Sequence, residues 1–106
     1  MFKETQREWY SDRIREKFYK SYNGNQANFE PPILRRIDEV IEALALGCTL
    51  ARPRVFSGHY MEAKDFRRIA DKIDGNIVAV AVDALKKNEK TVKNRVWYIL
   101  GILSRF

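Results

Sequence analysis

The fold of this chain is decided by residues 76–106, which read NIVAVAVDALKKNEKTVKNRVWYILGILSRF. The stretch contains an apolar segment from Ile77 to Leu85, then a basic joint that begins at Lys86, then a second apolar segment that ends at Phe106. If both segments are helices, they form a helical hairpin whose inner faces must be covered by the rest of the chain. The basic joint then lies at the tip of that hairpin.

The first of these segments leaves two secondary structures open. Residues 77–82 alternate valine with alanine after an isoleucine, a pattern that is typical of a buried strand. However, the sequence contains no second long strand to pair with it, and the pattern continues into residues 83–87, which have helical propensity. We therefore expect a helix that is apolar on nearly all sides, lies at the centre of the fold and is wrapped by the other helices.

The rest of the chain supplies helices to cover the hairpin. Apolar residues at spacings of three and four predict a helix over residues 4–22, a second that opens at Pro31 and Pro32, and a third over residues 61–73. In the first helix the stripe contains aromatic residues, and in the second it includes the single cysteine, Cys48, which we interpret as a core residue and not as a nucleophile.

Two short signals complete the fold prediction. Ser57-Gly58 lies between β-branched and aromatic residues and predicts a β-hairpin over residues 54–60. Thr91 is expected to cap the last helix. The predicted class is therefore all-α, with about five helices in a compact bundle and one short β-hairpin.

The composition is that of a single soluble domain covering residues 1–106. The 106 residues are 45% hydrophobic and 32% charged, with a net charge of +6, and they contain neither an apolar run long enough to span a membrane nor a signal peptide. One cysteine fits a reducing cytoplasm. We expect a cytoplasmic domain, excised from a longer protein, with no membrane partner.

The positive charge is concentrated around the basic joint. Between residues 86 and 95 one acidic residue, Glu89, opposes five cations, which are Lys86, Lys87, Lys90, Lys93 and Arg95. Such a patch attracts nucleic acid or another polyanion, and these five residues form the candidate nucleic-acid site. The alternative interpretation is a solvated helix joint whose lysines keep the surface soluble.

Several aromatic side chains are candidates for protein contacts. Trp97 and Tyr98 fall on opposite rims of the last helix, and Trp9 falls off the stripe of the first. Large aromatic residues at a surface are frequent anchors of protein interfaces. The open alternative is that they are half-buried members of the core.

The sequence contains no pattern for catalysis. There is one histidine, His59, and no carboxylate pair, no nucleophile beside a base and no cluster of metal ligands. We expect no enzymatic activity, no cofactor and no small-molecule substrate.

Three segments together resemble a known family. They are residues 14–17 (IREK), residues 54–60 (RVFSGHY) followed by a helix, and residues 77–85 followed by residues 90–100 (KTVKNRVWYIL). This arrangement resembles the C-terminal domain of RepA-type replication initiators of bacterial plasmids and conjugative elements, which is similar to the C-terminal domain of the primosome protein DnaD.

The resemblance implies a function in the initiation of DNA replication. It implies that the domain is the C-terminal region of a longer initiator and that it contacts DNA or host replication proteins without enzymatic activity. The alternative that the residues leave open is a protein-interaction or self-association module that does not bind DNA.

Overall fold

The computed structural model describes residues 6–21, 30–87 and 94–106. In chain order the elements are α1 (Gln6–Ser21), α2 (Pro31–Gly47), β1 (Arg54–Phe56), β2 (His59–Met61), α3 (Ala63–Asp71), α4 (Gly75–Lys87) and α5 (Arg95–Leu103). The described residues thus form five helices and a two-stranded antiparallel hairpin. The predicted fold class is confirmed.

The central element is α2, which packs against each of the other four helices. It begins with two prolines, whose missing N–H groups have no partner in the first turn of a helix anyway. In its second half Val40, Ile41, Leu44 and Ala45 are all 0% exposed, so burial extends around most of the helix circumference. A helix that is apolar on so many sides belongs in the core of the bundle.

The prediction that α4 is the central helix was wrong. Ile77, Val78, Ala81 and Leu85 are buried on one face of α4, but Val80 is 50% exposed on another. Because small alanines lie between the valines, the buried face of α4 is narrow. This face covers one side of α2, so the other helices do not need to surround α4. The helical interpretation of residues 77–82 is itself confirmed.

Local signals explain where α4 begins and why it is helical. The carboxylate of Asp74 accepts a hydrogen bond from the backbone N–H of Ile77 at 3.0 Å, which satisfies one of the open donors of the first turn. Within the described residues, the only strands are β1 and β2, which pair with each other. A strand at 77–82 would therefore have no described partner for its backbone groups.

The β-hairpin has the predicted turn. Phe56 pairs with His59, and Ser57 and Gly58 adopt φ values of 49° and 81° between them. Two successive positive φ values are typical of a type I′ turn, whose twist matches that of paired strands. The side chain of Phe56 points into the core, where its ring meets that of Phe66 edge-on at 5.4 Å.

The first helix is joined to α2 by apolar contacts and by charge. Ile14, Phe18 and Tyr19 of α1 are buried. The guanidinium of Arg15 forms ion pairs with Asp38 and, at 3.2 Å, with Glu42. The acidic outer face of α2 therefore fixes α1 in place.

The last helix begins later than predicted. Its N-cap is Asn94, whose side-chain oxygen accepts a hydrogen bond from the backbone N–H of Trp97 at 3.0 Å. The predicted cap, Thr91, lies outside the described residues. An asparagine side chain satisfies the open donors of a helix start as well as a threonine does.

Candidate interaction surfaces

The C-terminal end of α4 carries the first two cations of the candidate nucleic-acid site. Lys86 and Lys87 are both exposed. Lys87 forms an i,i+4 ion pair with Asp83 at 3.0 Å, whereas Lys86 has no ion pair with a described carboxylate. A pair this exposed contributes little to stability, so Lys87 can exchange Asp83 for another anion at small cost. Lys90 and Lys93 lie outside the described residues.

The fifth predicted cation, Arg95, is held against the bundle. Its guanidinium donates hydrogen bonds to both carboxylate oxygens of Glu39, with N–O distances of 2.7, 2.8 and 3.0 Å. Two parallel N–H donors on one carboxylate form the strongest type of ion-pair geometry. Arg95 therefore attaches the first turn of α5 to α2, and its charge is directed at an internal partner.

A groove of about 780 Å³ lies between β1, α4 and α5, and we call it the hairpin groove. Each of the three elements contributes residues to its walls. These include Arg54, Val55 and Phe56 from β1 and Val80, Asp83 and Lys87 from α4. Trp97 and Tyr98 from α5, and Arg105 after it, also line the groove. The structure thus brings together three of the residues that the sequence singled out, Lys87, Trp97 and Tyr98. Its volume is within the range of ligand-binding clefts.

Contacts between the hairpin and α5 set the shape of this groove. A Cβ atom at Gly101 would lie 2.8 Å from the Ser57 hydroxyl oxygen, so the missing side chain lets the turn approach the helix. The buried hydroxyl of Ser104 lies 3.3 Å from the carbonyl oxygen of Phe56. The hairpin, which is too small to be stable alone, is positioned by these contacts.

The Trp97 ring is the aromatic centre of the groove. The guanidinium carbon of Arg54 lies over the ring at 4.7 Å from its centroid, and the Phe56 ring lies at 5.7 Å with an interplanar angle of 43°. Trp97 is neither fully buried nor fully exposed. It therefore acts as a half-buried platform that carries a cation.

Trp9, the third predicted anchor, lies elsewhere. It is 45% exposed and lines a second groove, of about 700 Å³, between α1 and α3. The guanidinium carbon of Arg13 lies 4.4 Å from its ring centroid. The structure does not place Trp9 in the hairpin groove with Trp97 and Tyr98.

Sequence reasoning missed Arg54, Arg105, Val55 and Val80 as members of a surface site. Val55 and Val80 are 67% and 50% exposed, although their residue type and neighbours suggested burial. A signal for Val55 was available, since alternation along β1 places it on the opposite face from Phe56. No sequence pattern indicated that Arg105 would border the same groove.

The remaining reactive residues do not form a catalytic cluster in the part of the chain that the structure describes. Cys48 is 0% exposed, and burial raises the pKa of its thiol to about 12, so the thiol is protonated at neutral pH. His59 is exposed at the start of β2. Over residues 6–21, 30–87 and 94–106, no three His, Cys, Asp or Glu side chains lie close enough together to hold a metal ion.

Comparison of the chain with models of protein families, with curated proteins and with solved structures finds no match. Within its described part, no helix combines the length and the apolar character needed to cross a membrane.

Proposed function

We propose that this chain is a non-enzymatic binding module of a bacterial plasmid or mobile-element replication initiator, and that it contacts DNA through the cationic end of α4. The observation that carries the proposal is the exposure of Lys86 and Lys87 at that helix end, directly before a sequence segment that adds Lys90 and Lys93. The resemblance of three segments to RepA-type initiators supplies the biological setting.

The chemistry of this surface supports phosphate contacts and not base recognition. Ammonium groups on flexible stems bind phosphate oxygens as point charges and carry no sequence information. The net charge of +6 adds a long-range attraction to any polyanion. We therefore expect weak binding that differs little between DNA sequences. Arg95 contributes indirectly, because its ion pair with Glu39 fixes the start of α5.

The test is fluorescence anisotropy with labelled single-stranded and double-stranded DNA across a salt series. The logarithm of the association constant should fall with the logarithm of salt concentration by about 0.9 for each neutralised phosphate of duplex DNA. Changing Lys86 and Lys87 to glutamate should reduce that slope by about two units and weaken binding to all sequences alike.

A matched control distinguishes the effect of a local binding surface from the effect of net charge. Lys20 and Lys64 are exposed lysines on α1 and α3, each with a nearby glutamate partner at 3.9 and 3.2 Å. The double change of these two residues to glutamate alters the net charge by the same amount. Equal losses in both double variants would contradict a site at the end of α4, and no binding at about 50 mM salt would remove the DNA contact altogether.

The second candidate function is a protein-interaction module that does not bind DNA. The specific observation in its favour is the hairpin groove, which is lined by the exposed Val55 and Val80 and by Trp97. Apolar side chains are not used by phosphate contacts, so this groove requires a different ligand from the one proposed for α4.

A further inference from the structure

Among the residues that the structure describes, the lining of the hairpin groove has an excess of positive charge. These residues include three cations, Arg54, Lys87 and Arg105, and one carboxylate, Asp83, which is paired with Lys87. Neither Arg54 nor Arg105 forms an ion pair with any carboxylate in the described part of the chain. Two guanidinium groups that border one concave surface, and that have no partner among the described carboxylates, are complementary to an anionic ligand.

The same groove also exposes apolar surface. Val55 and Val80 are 67% and 50% exposed, and both line the groove together with Trp97 and Tyr98. Exposed apolar surface next to a cleft is a feature of sites that are covered by a partner. A ligand that complements this groove therefore has both carboxylates and apolar side chains.

The position of Arg54 favours a peptide over a nucleic acid. A base that stacked on the face of Trp97 beneath Arg54 would have to displace the guanidinium, which lies 4.7 Å from the ring centroid. A carboxylate, in contrast, can accept hydrogen bonds from the N–H groups of Arg54 while the cation stays over the ring. Nucleic acid also has no aliphatic side chains that would cover Val55 and Val80.

We propose that the hairpin groove binds a short acidic segment of a partner protein, with its carboxylates at Arg54 and Arg105 and its apolar side chains against Val80 and Trp97. Aspartate or glutamate alternating with leucine or phenylalanine has the required chemistry. The hairpin groove shares Lys87 with the proposed DNA contact. This inference does not depend on that contact, because it places the carboxylates of the ligand at Arg54 and Arg105.

The first experiment uses three synthetic fluorescein-labelled peptides and the unmodified chain. One peptide alternates aspartate with leucine and phenylalanine, a second has lysine in place of aspartate, and a third keeps aspartate but has serine in place of the apolar residues. We expect the first peptide to bind at least about tenfold more tightly than either of the others, because only it satisfies both the charge and the apolar surface. Equal binding of the acidic serine peptide would overturn the proposal, since charge alone would then be sufficient.

The second experiment locates the binding site. Changing Arg54 and Arg105 to glutamate should weaken binding of the acidic apolar peptide by about tenfold or more, because attraction at both positions becomes repulsion. The control changes Arg35 and Arg68, two exposed arginines that do not line the hairpin groove, and alters net charge equally. Circular dichroism verifies that both variants are folded. Equal weakening in both variants contradicts a site in the groove.

A third measurement follows binding in the groove by tryptophan emission. In a Trp9→Phe chain, Trp97 is the remaining tryptophan, so its emission reports on the groove. Peptide binding should change that emission, and unlabelled single-stranded DNA should not displace the peptide. The proposal would be overturned if DNA displaced the peptide and if DNA binding were lost in the Arg54 and Arg105 variant. The groove would then be a nucleic-acid site.

Discussion

Replacing either of two helical glycines by alanine should change the stability of the domain, and the two changes should have opposite signs. Gly47 is the last residue of α2, and a Cβ atom there would lie 2.8 Å from Cγ of Phe66 and 2.9 Å from Cδ2 of Leu100. Both neighbours are 0% exposed, so neither can withdraw without disturbing the close-packed core. Forcing an extra methyl group into such a core costs about 1–3 kcal/mol.

Gly101 is in a different environment, although it also lies within a helix. The nearest atom to a Cβ there is the Ser57 hydroxyl oxygen at 2.8 Å, and the next is at 4.0 Å. Ser57 is exposed, so its hydroxyl can rotate away. The gain from replacing a helical glycine by alanine, about 0.5–1 kcal/mol, is then largely retained. We expect Gly47→Ala to destabilise the domain by about 1–2 kcal/mol and Gly101→Ala to stabilise it by up to about 1 kcal/mol.

Urea unfolding followed by far-UV circular dichroism measures both effects, since this signal does not depend on the tryptophan near Gly101. With a urea dependence of about 1–3 kcal/mol per molar, the two midpoints should differ by roughly 0.3–3 M at an unchanged slope. A Gly47→Ala midpoint at or above that of the unmodified chain would refute the close approach of α2, α3 and α5. If Gly101→Ala lost as much stability as Gly47→Ala, the reasoning that an exposed neighbour such as Ser57 can move aside would be refuted.

Three further predictions concern the core and its charges. Phe66→Ala should destabilise the domain by about 3–5 kcal/mol in the same urea assay, because a fully buried ring leaves a cavity; a loss below 1 kcal/mol would contradict this burial. A double-mutant cycle of Glu39→Ala and Arg95→Ala should give a coupling of about 1 kcal/mol for this partly exposed pair, and a value near zero would show that the pair does not form in solution. Burial raises the pKa of Cys48 to about 12 and also raises that of Tyr19. The unfolded chain therefore loses these protons first, and stability should fall as the pH rises from about 9 towards 12; Cys48→Ala should make this fall less steep in pH-dependent urea titrations.

The class of the fold was readable from the sequence because it depends on local patterns. Apolar periodicity, the prolines at the start of α2 and the Ser57-Gly58 turn each act over a few residues, and each has the structure that it predicted. Which helix is central depends instead on how wide the buried surface of each helix is relative to the others. The sequence of α4 is more apolar over its first half, but the width of the buried surface on α2, from Val40 to Ala45, decides which helix the others surround.

The hairpin groove was only partly predictable for a related reason. Trp97, Tyr98 and Lys87 were singled out because residue type and neighbours within one segment suggested a surface function. Arg54 comes from a segment more than forty residues earlier, and only the packing of the hairpin on α5 brings it over the Trp97 ring. The ion pair of Arg95 with Glu39 joins residues 56 positions apart in sequence, so a count of local charges could not detect it.

The two proposed surfaces differ in how their binding should respond to salt. Both ligands are anionic, so a net charge of +6 favours either and cannot distinguish them. DNA binding releases condensed counterions, and its affinity falls by a power of the salt concentration that grows with each phosphate contact. An acidic peptide has no such condensed layer, and the part of its affinity that comes from covering Val55, Val80 and Trp97 does not weaken as ions are added. At about 0.5 M salt, DNA should therefore dissociate from Lys86 and Lys87, while the acidic apolar peptide should remain bound in the hairpin groove. If both ligands instead dissociate with the same salt dependence, the groove contributes only charge, and its apolar walls have no part in binding.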